Sequence, residues 1–172
     1  HEGEPDVDRR GRRVAILAKD TTSPSVPPSS SDDGLNELRQ SGRWTEMEFP
    51  IDDKGHFATV AVFYGISGAS AGGQDRRMNE RLLEMVIARQ LAAGDEPYLV
   101  CMDANIAESQ SPVITTALHL SKIVNLRDDR IPDEAGHPTF QFGGITEVIQ
   151  PGDKGSSTID HLFANQAFNM LV

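Results

Sequence analysis

Hydrophobic residues in this chain fall into short runs that predict β-strands. Continuous apolar runs at residues 14–18, 57–64 and 97–102 predict buried strands, because a strand covered on both faces shows no polar alternation. Residues 43–49 alternate between polar and apolar side chains, which predicts a half-exposed strand. The polar segment Asp-Asp-Lys-Gly at 52–55 predicts a hairpin turn that leads into the next strand.

A helical period replaces the strand pattern between residues 75 and 94. Arginine and glutamate lie on one side of this helix, and its apolar stripe consists of Leu82, Leu83, Met85, Val86, Ile87 and Leu91. We predict that Asp75 caps the helix and that Gly94 ends it in the left-handed conformation. We also expect Met78 and Met85 to pack in the core.

Two further elements follow the apolar run at 97–102. Ser111 before a proline predicts the start of a helix that continues over residues 113–120. Residues 157–163 predict another strand. Strands that alternate with a long helix are typical of an α/β domain with a mixed sheet. Residues 20–34 are rich in serine and proline, so we expect a disordered loop there, inserted between two strands.

Composition and charge narrow the function classes. The chain has 172 residues, of which 38% are hydrophobic and 24% charged, as in one globular domain. A net charge of -10 argues against a protein that binds nucleic acid with its whole surface, because phosphate affinity comes from Lys and Arg. Residues 9–13 are a basic exception, and we predict a charged lead-in at 1–13 before a domain at 14–172. An acidic nuclease stays compatible with this charge, since a bound metal supplies positive charge locally.

Cysteine content and the chain ends suggest a compartment. The single Cys101 excludes a disulfide framework and favours a reducing, intracellular compartment, the nucleus or cytoplasm. No apolar run approaches the roughly 20 residues that span a bilayer, so we expect no membrane partner. The chain begins without methionine, and we expect it to be a fragment.

Asp103 and Asn105 follow the apolar run at 97–102 and are the first candidate site residues. Side chains two residues apart on an extended chain point to the same side, and the carboxyl ends of strands in open α/β sheets carry ligand-binding residues. A carboxylate and a carboxamide together suit a divalent cation and a phosphate oxygen. The alternative is a strand-end turn, since both residue types favour turns.

Three more residues are candidates for chemistry. Tyr64 ends a predicted strand before a Gly/Ser-rich loop that can line a phosphate, or it is a core-edge residue with its hydroxyl in water. Asp160 shares a strand face with Leu162, where it either fixes the tautomer of a catalytic histidine or is simply exposed. We expect His137 in a turn, and the histidines lack the spacing of a structural zinc site.

In their order along the chain, these motifs resemble the endonuclease/exonuclease/phosphatase superfamily. The resemblance rests on Tyr64, the following helix, the strand end with Asp103 and Asn105, Pro-Thr-Phe at 138–140 and Ser-Thr-Ile-Asp-His at 157–161. It is greatest to abasic-site endonucleases and LINE-type retrotransposon endonucleases. It implies an α/β fold, a two-sheet sandwich with flanking helices, incomplete at both ends.

The resemblance also implies an activity, metal-dependent phosphodiester hydrolysis with Mg²⁺ or Mn²⁺. Asp103 would orient or deprotonate the attacking water, and Asn105 would bind the scissile phosphate. Both residues are also the implied metal ligands. Tyr64 would donate a hydrogen bond to the phosphate, and Asp160 would orient a catalytic histidine. The implied partners are DNA and, in a full-length protein, a fused reverse transcriptase.

The chain departs from the family pattern at several positions. Residues 1–13 hold no counterpart of the early Asn and metal-binding Glu, and the final Ser-Asp-His would lie beyond Val172. Met102 replaces the usual Gly, where we expect it to crowd the backbone near the phosphate, and Val62 stands where Asn is common. We therefore expect this chain alone to be inactive or nearly so. The alternatives are a phosphatase of the same superfamily, and a non-catalytic binding module or degenerate remnant of the fold.

Overall fold

A mixed β-sheet with helices packed on one face organises the chain. The computed structural model describes residues 14–18, 24–27, 32–126, 140–141, 156–157 and 159–171. The strands are β1 (Trp44–Pro50), β2 (Phe57–Tyr64), β3 (Tyr98–Asp103), β4 (Val124–Asn125), β5 (Phe140–Gln141), β6 (Ser156–Ser157) and β7 (Asp160–Ala164). The helices are α1 (Asp33–Gln40), α2 (Gly73–Ala92), α3 (Pro112–His119) and α4 (Gln166–Asn169).

The main sheet has five strands in the order β1-β2-β3-β7-β4. β1 and β2 form the predicted antiparallel hairpin, with Trp44 opposite Phe63. β2 and β3 are parallel, and α2 makes the crossover between them that a parallel pair requires. β7 pairs antiparallel with both β3 and β4, which makes the sheet mixed, as predicted. β5 and β6 form a separate two-stranded ladder.

The core lies between one face of the sheet and helices α1, α2 and α3. The strands contribute Phe63, Val100 and Phe163 among others, and α2 contributes Leu83 and Val86. The opposite face, with residues such as Val62, Cys101 and Leu162, is only half-buried or exposed. Alternating burial along β3 therefore separates a core face from an accessible face, and Asp103 lies on the accessible one.

Helix α2 begins earlier than predicted and is capped by a different residue. Its N-cap is Gly72, and Asp75 lies in the first turn, where a carboxylate is still favoured by the helix dipole. The prediction that Asp75 caps the helix is therefore wrong, because two glycines with positive φ angles lead the chain into the helix one turn earlier. Gly94 does adopt the predicted left-handed conformation, with φ of 59°.

The buried stripe of α2 differs from the predicted stripe at its ends. Met85 packs against the core, but Met78 is 48% exposed and Leu91 is 42% exposed. Buried polar residues, Asn79 and Gln90, hold the end positions of the stripe instead. Both bond to backbone groups of the sheet and its loops, and an apolar side chain makes no such bonds. No helix in the described part of the chain is long and apolar enough to cross a bilayer.

Helix α3 starts as the sequence predicts. The Ser111 hydroxyl accepts a hydrogen bond from the Ile114 N–H at 3.2 Å, and Pro112 occupies the first helical position. Ser111 also donates to the Glu80 carboxylate of α2 at 3.0 Å. The cap therefore joins the two helices that flank the β3 end of the core.

Two predictions near the start of the chain are corrected by the structure. Residues 14–18 form no strand, and Leu17 is 96% exposed, because an apolar run becomes a strand only where a neighbour completes the hydrogen-bond ladder. Part of the segment 20–34, predicted to be a disordered loop, is ordered. Ser25 forms a bridge to Glu48, and α1 begins at Asp33 after its cap Asp32. Residues 20–23 and 28–31 of this segment and the predicted lead-in at 1–13 lie outside the described residues.

The predicted strand at 157–163 is two strands in different sheets. Ser156–Ser157 pairs with Phe140–Gln141, whereas Asp160–Ala164 is β7 of the main sheet. A single run of strand-forming residues can serve two ladders, since ladder partners are chosen by tertiary packing and not by the run itself.

A buried carboxylate of the sheet forms hydrogen bonds with two of the helices. Glu46 of β1 accepts hydrogen bonds from Arg39 of α1 at 3.0 Å and Arg89 of α2 at 2.9 Å. The hydroxyl of Tyr98, at the start of β3, donates to the same carboxylate at 2.6 Å. Burial and the Glu46 charge raise the pKa of Tyr98 well above its usual value, so it stays a donor at physiological pH. Two cations and a phenol thus satisfy one buried anion.

We predict that Tyr98→Phe lowers the free energy of unfolding by about 2 kcal/mol, because the buried Glu46 carboxylate loses a donor that water cannot replace. Urea denaturation followed by circular dichroism measures the change. Thr116→Val, which removes an exposed hydroxyl from α3, is the control and is expected to have a negligible effect. Equal stabilities of the two variants would contradict the prediction.

Candidate active site

Three of the four predicted site residues form one row across the sheet. Tyr64 at the end of β2 is the register partner of Asp103 at the end of β3. Asp103 is in turn the register partner of Asp160 at the start of β7. Register partners share a face, so the three side chains emerge side by side from the accessible face, on strands about 4.8 Å apart. Residues separated by up to 96 positions in sequence are therefore neighbours here.

The two carboxylates in this row are direct neighbours. The Ala104 N–H donates to the Ile159 carbonyl at 2.7 Å, which marks these opposite residues as a hydrogen-bonded pair. The next pair, Asp103 with Asp160, is then a non-hydrogen-bonded pair, in which α-carbons are about 4.5 Å apart and side chains are close. Two carboxylates so placed on neighbouring strands can both offer oxygen ligands to one cation.

Asn105 reaches the same place through a turn and not through strand alternation. β3 ends at Asp103, and Asn105 has a left-handed backbone with φ of 51°. Its N–H donates to Asp103 Oδ1 at 3.1 Å, and its side-chain amide donates to the Gly65 carbonyl at 3.2 Å. The alternative of a strand-end turn is thus realised, and this turn is what brings the carboxamide beside the carboxylate.

Close backbone contact requires a glycine directly after Tyr64. The Gly65 N–H donates to the Asp103 carbonyl at 2.7 Å. A Cβ at this position would lie 2.3 Å from the Ala104 carbonyl oxygen, a distance that no side chain tolerates. The φ angle of Gly65 is not positive, so proximity alone explains the glycine. The loop that follows Tyr64 and the loop that carries Asn105 are consequently held against each other.

Asn79 of α2 clamps these two loops and was not identified from the sequence. Its side-chain amide donates to the Ala104 carbonyl at 3.0 Å, and its side-chain oxygen accepts from the Ile66 N–H at 2.7 Å. The residue is fully buried. The available signal was a polar residue at a position where the spacing to Leu82 and Leu83 requires an apolar one.

Arg43 borders the row on its other side. Its guanidinium donates to the carbonyls of Tyr64 at 3.3 Å and Gly65 at 2.8 Å, and it lies 5.7 Å from the centre of the Tyr64 ring. A cation at this distance interacts favourably with an aromatic face. Arg43 was not predicted either, because a basic residue before a strand carries no signal by itself.

Neighbouring residues are excluded from the site by their orientation or chemistry. Met102, expected to crowd the backbone near the phosphate, has its side chain buried in the core on the face opposite Asp103. His161 is also on the core face, where its ring stacks on Phe163 with centroids 5.1 Å apart. Burial raises the pKa of the Cys101 thiol, which argues against a thiolate nucleophile. His137 lies outside the described residues.

The donor set suits a hard divalent cation. Asp103, Asp160 and Asn105 offer carboxylate and carboxamide oxygens, the ligands that Mg²⁺ prefers, and Mg²⁺ keeps several waters in such sites. In the described ranges no group of three His, Cys, Asp or Glu side chains forms a metal-binding cluster.

Comparisons with known proteins identify the fold. No protein-family model matches the sequence, and no curated protein matches it. An AP endonuclease from Archaeoglobus fulgidus superimposes with a TM-score of 0.53 and 14% identity over 84% of this chain and 57% of that one. The chain has the endonuclease/exonuclease/phosphatase fold.

Two further structures with this fold superimpose less well. The human Nocturnin catalytic domain with bound sulfate has a TM-score of 0.49 and 12% identity over 72% of this chain and 41% of that one. A mannosyl-6-phosphatase from Bacteroides thetaiotaomicron has a TM-score of 0.45 and 12% identity over 72% of this chain and 43% of that one. The chain thus spans about half the length of the solved structures it matches.

We predict that Asn79→Ala lowers the free energy of unfolding by about 3 kcal/mol, because the Ile66 N–H and the Ala104 carbonyl lose their buried partner. Hydrogen exchange of the Ile66 amide is expected to accelerate as well. Gln74→Ala, an exposed change on the same helix, is the control. If the Ile66 amide exchanged at the same rate in both variants, Asn79 would not be what holds this loop in place.

Proposed function

We propose that the Tyr64–Asp103–Asp160 row is the centre of an endonuclease-like, metal-dependent phosphodiester hydrolase. The observation that carries the proposal is the register that aligns these three residues on the accessible face, where β2 and β3 end and β7 begins. Asn105 joins the row through its turn. The site thus combines two carboxylates, an amide and a phenol. Such groups can position a phosphate ester and an attacking water.

Each residue has a distinct proposed role. Asp103 orients the attacking water or accepts its proton, as a carboxylate at the end of β3 on the accessible face can do. Tyr64 donates a hydrogen bond to a phosphate oxygen, with Arg43 beside its ring to hold positive charge nearby. Asn105 binds the scissile phosphate through its amide. Asp160 orients a catalytic histidine, and its position opposite Asp103 also lets it share a cation.

The proposed cofactor is Mg²⁺, or Mn²⁺ in its place, held by Asp103 and Asn105 with Asp160 adjacent. When bound, the ion neutralises charge that develops on the phosphoryl oxygens. The two neighbouring carboxylates support this assignment, because they carry like charge at close range and a divalent cation relieves their repulsion.

The substrate and origin are proposed from the resemblance of the motifs. DNA is the proposed partner, and a retroelement endonuclease with a fused reverse transcriptase is the proposed parent protein. We also propose that residues 1–172 alone do not turn over substrate, since this sequence holds no match to the family's metal-binding Glu or to its Ser-Asp-His motif.

We predict that the chain binds one Mn²⁺, that Mg²⁺ displaces it, and that Asp103→Asn weakens Mn²⁺ binding at least about tenfold, because a charged ligand becomes neutral. Electron paramagnetic resonance of free Mn²⁺ measures the affinity. Asp53→Asn in the hairpin turn makes the same charge change far from the row and is expected to have no effect. An unaltered affinity in Asp103→Asn would overturn the metal assignment.

We further predict that purified 1–172 with Mg²⁺ cleaves neither an abasic-site duplex nor a phosphomonoester faster than Asp103→Ala does. Strand nicking on a denaturing gel and phosphate release measure the two reactions. Magnesium-dependent nicking that Asp103→Ala abolishes would overturn the proposed insufficiency and would support the site. Phosphate release without nicking would favour a phosphatase.

A further inference from the structure

A groove between α1 and α2 opens beside the candidate active site. Its volume is about 650 Å³. Glu37 of α1 lines one wall, Arg77, Met78 and Arg81 of α2 line the other, and Arg43 and Ile66 close the end nearest the site. The groove is distinct from the row of Tyr64, Asp103 and Asp160, none of which lines it.

The α2 wall is a basic stripe. Gln74, Arg77, Met78 and Arg81 follow one another at intervals of three or four residues, so they share one side of the helix. The Arg81 guanidinium pairs with Glu37 across the groove at 2.7 Å, while both side chains keep solvent contact. No described residue forms an ion pair or hydrogen bond with the Arg77 guanidinium. Three arginines face one glutamate here, in a chain whose net charge is -10.

The groove is continuous with the site through Arg43 and Ile66. Arg43 lines the groove and also binds the Tyr64 and Gly65 carbonyls beside the row. Ile66 follows Gly65 directly, and Asn79 fixes its N–H. A chain molecule with a phosphate at the row would therefore pass Arg43 to enter the groove. The basic stripe lines that groove.

We propose that this groove binds the sugar–phosphate backbone of a nucleic-acid strand next to the phosphate held at the row. The proposal rests on the proposed function, because that function places a phosphodiester at Tyr64 and Asp103. The arginines of the groove are complementary in charge to the phosphates of a nucleic-acid backbone. The lining contains no aromatic side chain on which a base could stack, so binding is independent of sequence. The net charge of -10 disfavours binding of a polyanion over the whole surface, so a local group of arginines is the favoured contact.

Binding of a short fluorescein-labelled single-stranded oligonucleotide, followed by fluorescence anisotropy in EDTA, tests the groove without catalysis. Arg77→Ala is expected to weaken binding about fivefold and to reduce the slope of log affinity against log salt by about 0.7, since one phosphate contact is lost. Glu37→Gln is expected to tighten binding about twofold, because it removes the one opposing carboxylate and releases Arg81.

Two variants in the distant hairpin turn control for overall charge. Lys54→Ala removes one positive charge, as Arg77→Ala does, and Asp53→Asn removes one negative charge, as Glu37→Gln does. The proposal that the groove binds nucleic acid is overturned if each test variant shifts the dissociation constant no more than its control does. It is also overturned if the wild-type chain binds no oligonucleotide at low salt.

The experiments distinguish a failure of the groove proposal from a failure of the proposed function. Arg77→Ala leaves Mn²⁺ affinity unchanged, because Arg77 lies in the groove and outside the row. Loss of oligonucleotide binding in Arg77→Ala with unaltered Mn²⁺ binding supports the groove. Weak Mn²⁺ binding in wild type together with an intact Arg77 effect would reject the metal site and keep the nucleic-acid groove.

Discussion

The register of β3 between β2 and β7 is the constraint on which the candidate site depends. It places Asp103 between Tyr64 and Asp160 and turns all three toward the accessible face. A slip by one residue would exchange the faces of β3, so that Asp103 would enter the core and Met102 would leave it. The register is fixed because burying Val100 and Met102 is favourable and burying a carboxylate is costly. The same energetic preference that forms the core thus positions the chemistry.

Buried polar side chains complete this positioning. Glu46 joins β1 and β3 to helices α1 and α2 through a carboxylate with three donors. Asn79 joins α2 to both loops at the row, and Gln90 donates to the carbonyl of Phe163 in β7 at 2.8 Å. Asn165 accepts from the Tyr98 N–H at 3.0 Å at the other end of β3. Each of these bonds links elements that apolar packing alone would leave free to slide, because dispersion contacts are not directional.

Charge is distributed to match the proposed chemistry. The row concentrates two carboxylates where a cation would bind, and the α1–α2 groove concentrates arginines where phosphates would pass. Arg43 belongs to both regions, since it lines the groove and contacts the Tyr64 ring. Among the described residues, the groove gathers three arginines in a chain of net charge -10, which favours binding of a polyanion there over the acidic parts of the surface. This arrangement is compatible with both the acidic composition and the proposed nucleic-acid substrate.

The sequence by itself determined strands β1, β2 and β3, the helix α2 and the α3 cap at Ser111, because each has a local signal in periodicity or turn chemistry. Turn chemistry and strand ends also singled out the residues of the row as candidates. The sequence did not determine which strands are neighbours. The split of 157–163 between two sheets, the failure of 14–18 to form a strand and the α1 helix within an expected loop all depend on ladder partners distant in sequence. Asn79 and Arg43 were missed for the same reason. Their roles come from backbone groups that only the tertiary structure brings to them.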